Sequence, residues 1–404
     1  MPLLCESPTL TPTHRRILAL AFVGWMFDFY DLILYTFLVR PISAELGLTH
    51  ADHSLVIGLS FVATAIGGLA CGFLADRIGR KATVSYTIVL YSLGCLFTGL
   101  AGSRSLLLLA RFLTGIGVGG EWAAGHALVA ETFPPAHRGR AGAILQTGAP
   151  LGMGIAALVG TRLAPVIGWR CCFLASSVTA LLAFITRRFM PESDLWEQGG
   201  TAPFLAGISR LLAGKESRHF YLGLLVTTVN GASYWLTYSW MPEYLQSHGL
   251  ARDTSSMYFL IIVGAELTGY SIFGLLSDRF GRRPVFTGYA LTMACGLLPL
   301  ALLWRTTSAP PDWVAGALAL VGFGTGTWSN FGPMLAELFP TAIRNSGMGA
   351  VYNLSRAAQL GAPVLVTALE PRYGLSAGIA LAACCAVTAS GLVWLLPETQ
   401  GRRL

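Results

Sequence analysis

The chain alternates apolar runs of about twenty residues with short polar connectors. Twelve runs stand out, at about 17–39, 54–75, 82–102, 105–131, 140–163 and 169–190, then at about 220–245, 254–276, 284–304, 313–338, 345–369 and 374–396. At 1.5 Å of rise per residue, roughly twenty residues cross a hydrocarbon core of about 30 Å. An open strand edge cannot satisfy its backbone groups in lipid, so each run is expected to be a helix. The pattern predicts an all-α membrane protein with twelve transmembrane helices. The first run follows Arg15 and Arg16 and contains Asp28 and Asp31. At about 23 residues it is longer than a signal-peptide core and reads as the first span.

Composition agrees. Of 404 residues, 54% are hydrophobic and only 12% charged, about half the charge of a soluble domain. The formal net charge of +7 raises the possibility of a nucleic-acid partner. The basic residues lie scattered over short connectors, however, and form no single patch, which argues for membrane topology and against nucleic acid. Arg111 and Arg356 fall inside runs; the other basic residues divide 18 to 7 in favour of the side bearing both termini. The positive-inside rule then places both termini in the cytoplasm of a plasma (inner) membrane protein. The eight cysteines lie mostly in or beside apolar runs, without metal-ligand spacing, and read as small buried hydrophobes.

The chain also repeats itself. Gly72-Phe-Leu-Ala-Asp76-Arg77-Ile-Gly79-Arg80-Lys81 returns as Gly274-Leu-Leu-Ser-Asp278-Arg279-Phe-Gly281-Arg282-Arg283. Ala130-Glu131-Thr-Phe-Pro134 with Arg138 returns as Ala336-Glu337-Leu-Phe-Pro340 with Arg344. Both offsets are close to half the chain, which points to one unit duplicated. The expected division is a six-helix bundle over 1–190, a polar cytoplasmic linker over 191–219 with a weakly amphipathic stretch, and a second six-helix bundle over 220–404.

The decapeptide and its second copy resemble the signature of the major facilitator superfamily, and the resemblance covers essentially the whole chain. Gly24-Trp-Met-Phe-Asp28-Phe-Tyr-Asp31, Gly120-Glu121-Trp122 leading to Ala130-Glu131, and Tyr352-Asn353-Leu-Ser-Arg356 are similar to the metabolite:proton and sialate/lactate:proton symporter groups. The implied fold is two pseudo-symmetric six-helix bundles around a central cavity, alternating between inward- and outward-open states. The resemblance also implies a gating role for the repeated motifs. Asp76 and Asp278 would pair with Arg80, Arg282 or a helix terminus of the other bundle. Arg77, Arg279, Glu131, Arg138, Glu337 and Arg344 would join the same networks.

Ionisable residues deep in a span are costly, so their default reading is functional. Asp28 and Asp31 share a helix face among aromatic residues. Ionising both is disfavoured there, which suits proton coupling; the alternative is a pair of structural hydrogen-bond acceptors. Glu121, in a glycine-rich run, is a second candidate proton acceptor, and its repeat mate is Thr327. Arg111 lies at a depth comparable to Asp31; the pair reads as either a switchable or a fixed ion bridge, and Arg111 is also a candidate, with Arg356, to bind the negative charge of the substrate. His126 reads as a packing residue. Arg356 is a natural carboxylate anchor, since a guanidinium offers two parallel charge-assisted hydrogen bonds. Asn353 would add a donor and Glu266 would partner Arg356 when substrate is absent; a permanent Glu266–Arg356 bridge is the alternative. Tyr234 and Gln146 are candidate cavity residues.

These readings converge on a proton-coupled importer of a small organic anion, a carboxylate or acidic sugar, working as a monomer without cofactor or metal. A proton-coupled efflux antiporter is the alternative. A membrane sensor that kept the fold is disfavoured by the absence of a soluble domain. An enzyme is disfavoured by the absence of a nucleophile–base pair.

Overall fold

The computed structural model describes residues 10–199, 204–250, 252–304, 311–359, 361, 365, 372, 374–402 and 404. Among them the only regular structure is helical. Nine helices are long and apolar enough to cross a membrane, from Pro12–Leu46 to Leu375–Leu395. The seventh span (Ser217–Ser247), the tenth (Trp313–Gly324 and Trp328–Leu338) and the eleventh (Arg344–Gln359) complete twelve. The end of the run expected over 345–369 falls largely outside the described residues. The twelve spans form two pseudo-symmetric six-helix bundles.

Local chemistry sets the helix ends. Thr49 and Asp52 form a capping box at the start of the second span, and the Ser103 hydroxyl caps the fourth. The two decapeptides turn on Gly79 (φ +101°, ψ 158°) and Gly281 (φ +102°, ψ 158°), a conformation that excludes a β-carbon. The duplication therefore extends to backbone angles.

Three spans expected to be continuous are broken, the sixth between Trp169–Ser177 and Ala180–Phe189. The fifth changes direction at Thr147, between Arg138–Gln146 and Gly148–Leu158, where Pro150 supplies no N–H. The tenth passes through a 3₁₀ turn at Thr325–Thr327. The breaks in the fifth and tenth spans adjoin Gln146 and Trp328, which line the central cavity.

Glycine brings backbones together. A β-carbon on Gly119 would lie 2.0 Å from the Thr64 carbonyl oxygen, and one on Gly67 would lie 2.1 Å from that of Ile116. The same contact recurs in the other half, where Gly269 faces the Phe323 carbonyl at 2.3 Å. Close approach of this kind drives helix association where lipid offers no hydrophobic gain. Gly119→Val is therefore expected to destabilise the protein by about 1–3 kcal/mol. An unchanged melting temperature in detergent would show that the second and fourth spans separate freely.

The linker carries two short helices, Asp194–Gln198 and Phe204–Ala213. The second turns Ile208 and Leu211 toward Phe73 and Ile343 and so lies along the face that holds both described chain ends. The largest apolar cluster crosses between the bundles through Trp25, Trp122, Trp328 and Tyr352.

Candidate functional site

The repeated motifs meet at the face that carries the chain ends. Asp76 accepts hydrogen bonds from the backbone N–H groups of Asn345 (3.1 Å) and Ser346 (2.8 Å), at the start of the eleventh span. Asp278 accepts from Gly139 (2.8 Å) and Arg140 (2.9 Å), at the start of the fifth. Each aspartate thus caps a helix N-terminus of the opposite bundle, where orphan donors and the helix dipole favour an anion. Glu131 takes Arg80 at 2.8 Å and also Arg344 from the other half. Glu337 takes Arg138 at 2.9 Å and Arg282 at 3.2 Å. The expected network is present, buried and doubled, and it closes this face. Arg77 and Arg279 stand apart from it. Both are exposed, and Arg279 lies over the Phe280 ring.

Two members were missed in the sequence. Glu192 accepts from the N–H groups of Arg80 (3.0 Å) and Lys81 (3.1 Å), and Glu398 accepts from those of Arg282 (2.9 Å) and Arg283 (3.1 Å). The signal was available, because Pro191-Glu192-Ser193 and Pro397-Glu398-Thr399 are a third repeat. Each glutamate caps the helix that follows its decapeptide.

Midway between the faces lies a small cavity. Its walls are Phe29, Gln146, Ala149, Met153, Tyr234, Trp235, Glu266, Tyr270, Trp328, Tyr352 and Arg356. Both bundles contribute. Toward the face opposite the gate, the bundles meet where Phe61 packs on Trp235 with ring centres 6.3 Å apart.

Arg356, Glu266, Tyr234 and Gln146 come together here as expected, but with different partners. Arg356 and Glu266 form no ion pair. Glu266 Oε2 accepts from the Tyr238 hydroxyl at 2.7 Å, and Oε1 has no hydrogen-bond partner among the described residues. The Arg356 guanidinium lies over the Tyr352 ring at 5.7 Å, with Nη1 unpartnered among the described residues. Tyr352 in turn stacks on Trp122 of the other bundle, 3.7 Å between ring centres and 7° from parallel. Tyr234 stacks on Tyr238 at 4.1 Å. Gln146 Oε1 lies 3.2 Å from His126 Nε2 and 3.5 Å from Trp122 Nε1. His126 is therefore a packed, hydrogen-bonded residue.

Asn353 and Arg111 lie elsewhere. Asn353 Nδ2 donates to the carbonyl of Gly119 (3.2 Å) across the bundle interface and to that of Gly349 (3.0 Å). It packs where a β-carbon on Gly68 would stand, and it does not line the cavity. Arg111 is fully buried against Asp31, with Nη1 to Oδ2 at 2.9 Å, under the rings of Tyr35 and Phe173. The Cys95 thiol donates to the other Asp31 oxygen at 2.9 Å. Helical twist thus sends the two aspartates of the first span to different partners.

Asp28 faces Glu121. Both are buried, and none of their four carboxyl oxygens has a donor among the described residues. The two carboxyl groups lie within hydrogen-bonding reach of one another. Glu121 occupies the space that a β-carbon on Gly24 would need, 1.9 Å from its Oε1. Arg356 is near enough for its charge to act on Asp28. Two carboxyl groups can hydrogen-bond to one another only when one holds a proton.

Comparison with known proteins bears on this arrangement. The Major Facilitator Superfamily description matches residues 18–272, and the description "Sugar (and other) transporter" matches residues 206–404. The chain is 31% identical to a probable 4-methylmuconolactone transporter of Cupriavidus pinatubonensis (strain JMP 134), over 97% of this chain and 92% of that protein. It is 29% identical to the sialic acid transporter NanX of Escherichia coli (strain K12), over 92% and 91%. Among solved structures, the proton:xylose symporter XylE bound to 6-bromo-6-deoxy-D-glucose superposes with a TM-score of 0.80 at 20% identity, covering 97% of this chain and 98% of that one. Fold, family match and relatives agree: the chain belongs to the major facilitator superfamily and is an integral membrane transporter of small organic molecules, not an enzyme.

Proposed function

We propose that this transporter takes up a small organic anion together with protons, by alternating access. The observation that carries the proposal is Arg356, whose guanidinium stands on the wall of an aromatic cavity, with Nη1 unpartnered among the described residues and within electrostatic reach of Asp28. A carboxylate entering the cavity would take two hydrogen bonds from that guanidinium, against the rings of Tyr352 and Tyr234. It would also remove part of the positive charge that Arg356 exerts on Asp28. The Asp28–Glu121 pair would then hold its proton more firmly. Substrate and proton would load together, and the bundles would rock about the occupied cavity once the gate bonds release. On this reading the gate face is cytoplasmic, the bundles span 1–190 and 220–404 around the 191–219 linker, and the monomer is the working unit. The names of the two relatives, which include a muconolactone and sialic acid, support an organic-acid cargo.

One observation favours proton-coupled efflux instead. Glu266 presents an unpartnered oxygen to the same cavity, and that oxygen would suit a cationic aromatic compound. Thermal unfolding of the purified protein against organic acids, neutral sugars and cationic aromatics separates the two readings. A ligand at 100 times its Kd stabilises by about 2.7 kcal/mol. Carboxylates are expected to stabilise, and more so as the pH falls. Stabilisation by the cations alone would overturn the uptake reading.

A further inference from the structure

A second concave site lies at the gate face, away from the central cavity. It opens beside Arg402, and its polar walls are Lys215, Glu216, His219, Glu337, Thr341, Arg344 and Arg402. The acids among them have basic partners, although Glu216 Oε2 has none among the described residues. Glu337 is held by Arg138, Arg282 and the Thr399 hydroxyl, and Glu216 is held by Arg210 at 2.6 Å. Arg344 is used by Glu131. Lys215, His219 and Arg402 have no carboxylate partner among the described residues.

We propose that this pocket binds a phosphate group, held by Lys215, His219 and Arg402. Three donors from two separate segments, residues 215–219 and residue 402, line one concavity. A phosphate offers enough acceptor oxygens to engage all three at once, whereas a carboxylate has two. The site also touches the gate. Arg138 of the first bundle donates to the Arg402 carbonyl at 3.0 Å, and Thr399 donates to Glu337 at 2.7 Å. A phosphate clamping Arg402 to Lys215 and His219 would hold the tail in place and so favour the closed gate.

The test uses the purified full-length protein. Inorganic phosphate is compared with sodium chloride and acetate at equal ionic strength, and phosphatidylglycerol nanodiscs with phosphatidylcholine nanodiscs. Phosphate is expected to raise the melting temperature by roughly 2 °C over both salts. Lys215→Gln combined with His219→Gln should lose that shift without changing melting in chloride. A shift with phosphatidylglycerol but not with free phosphate, lost in the same variant, would assign the phosphate to a lipid headgroup. Equal shifts with chloride, or a phosphate shift that survives both substitutions, would overturn the site.

Discussion

Replacing Arg356 by alanine is expected to abolish uptake while the protein still folds and reaches the membrane. The guanidinium makes no ion pair among the described residues, so its loss strands no buried carboxylate and the folded state loses little. The substrate, by contrast, would lose a charge-assisted contact in a desolvated cavity. Truncating one partner of such a pair costs about 2–5 kcal/mol, or roughly 30- to 5,000-fold in affinity. Arg356→Lys keeps the charge but not the fork, and should recover only part of the binding. The measurement is substrate affinity on purified variants beside their melting temperatures. Normal affinity in the alanine variant would sink the assignment; a large fall in melting temperature would instead give Arg356 a structural role.

Glu121→Gln is expected to separate accumulation from exchange. The amide cannot give up a proton in the cycle, yet it still donates a hydrogen bond to Asp28, so the pair would be held permanently in its loaded arrangement. Uptake driven by a pH gradient should fall to the equilibrium level, while exchange of labelled for unlabelled substrate continues. Equal loss of both would mean that Glu121 only packs against Gly24. Asp31→Asn provides the contrast. It would leave Arg111 buried without its counter-ion, at a cost of about 3–5 kcal/mol, and lower the yield of folded protein.

The two aspartates show what the sequence could and could not tell. Residues three apart on a helix share a face, so the i,i+3 spacing suggested one paired site. The fourth span instead supplies two different partners, Glu121 deep in the bundle and Arg111 further out. A one-dimensional pattern carries depth and rough direction, but not which neighbouring helix a side chain meets. The same limit explains Asn353, one turn from Arg356. Its amide is spent on the Gly119 carbonyl because glycine at 68 and 119 lets the bundles close at that level. The twelve spans and the doubled ion-pair network were legible because they rest on runs of about twenty residues and on motifs written twice. The mid-span breaks were not, because apolar periodicity continues straight through Thr147 and Thr325.

The gate has one more consequence. The bonds that Asp76 sends to residues 345 and 346 are those that Asp278 sends to 139 and 140, so the contact is isologous, of the kind found between two copies in a homodimer. Here the two copies are fused in one polypeptide. A homodimer cannot alter one side of its interface without altering the other, but this chain can, and its two locks are free to drift apart in strength. Selection can therefore set how readily the gate opens by changing one half alone, in steps finer than any symmetric ancestor could take.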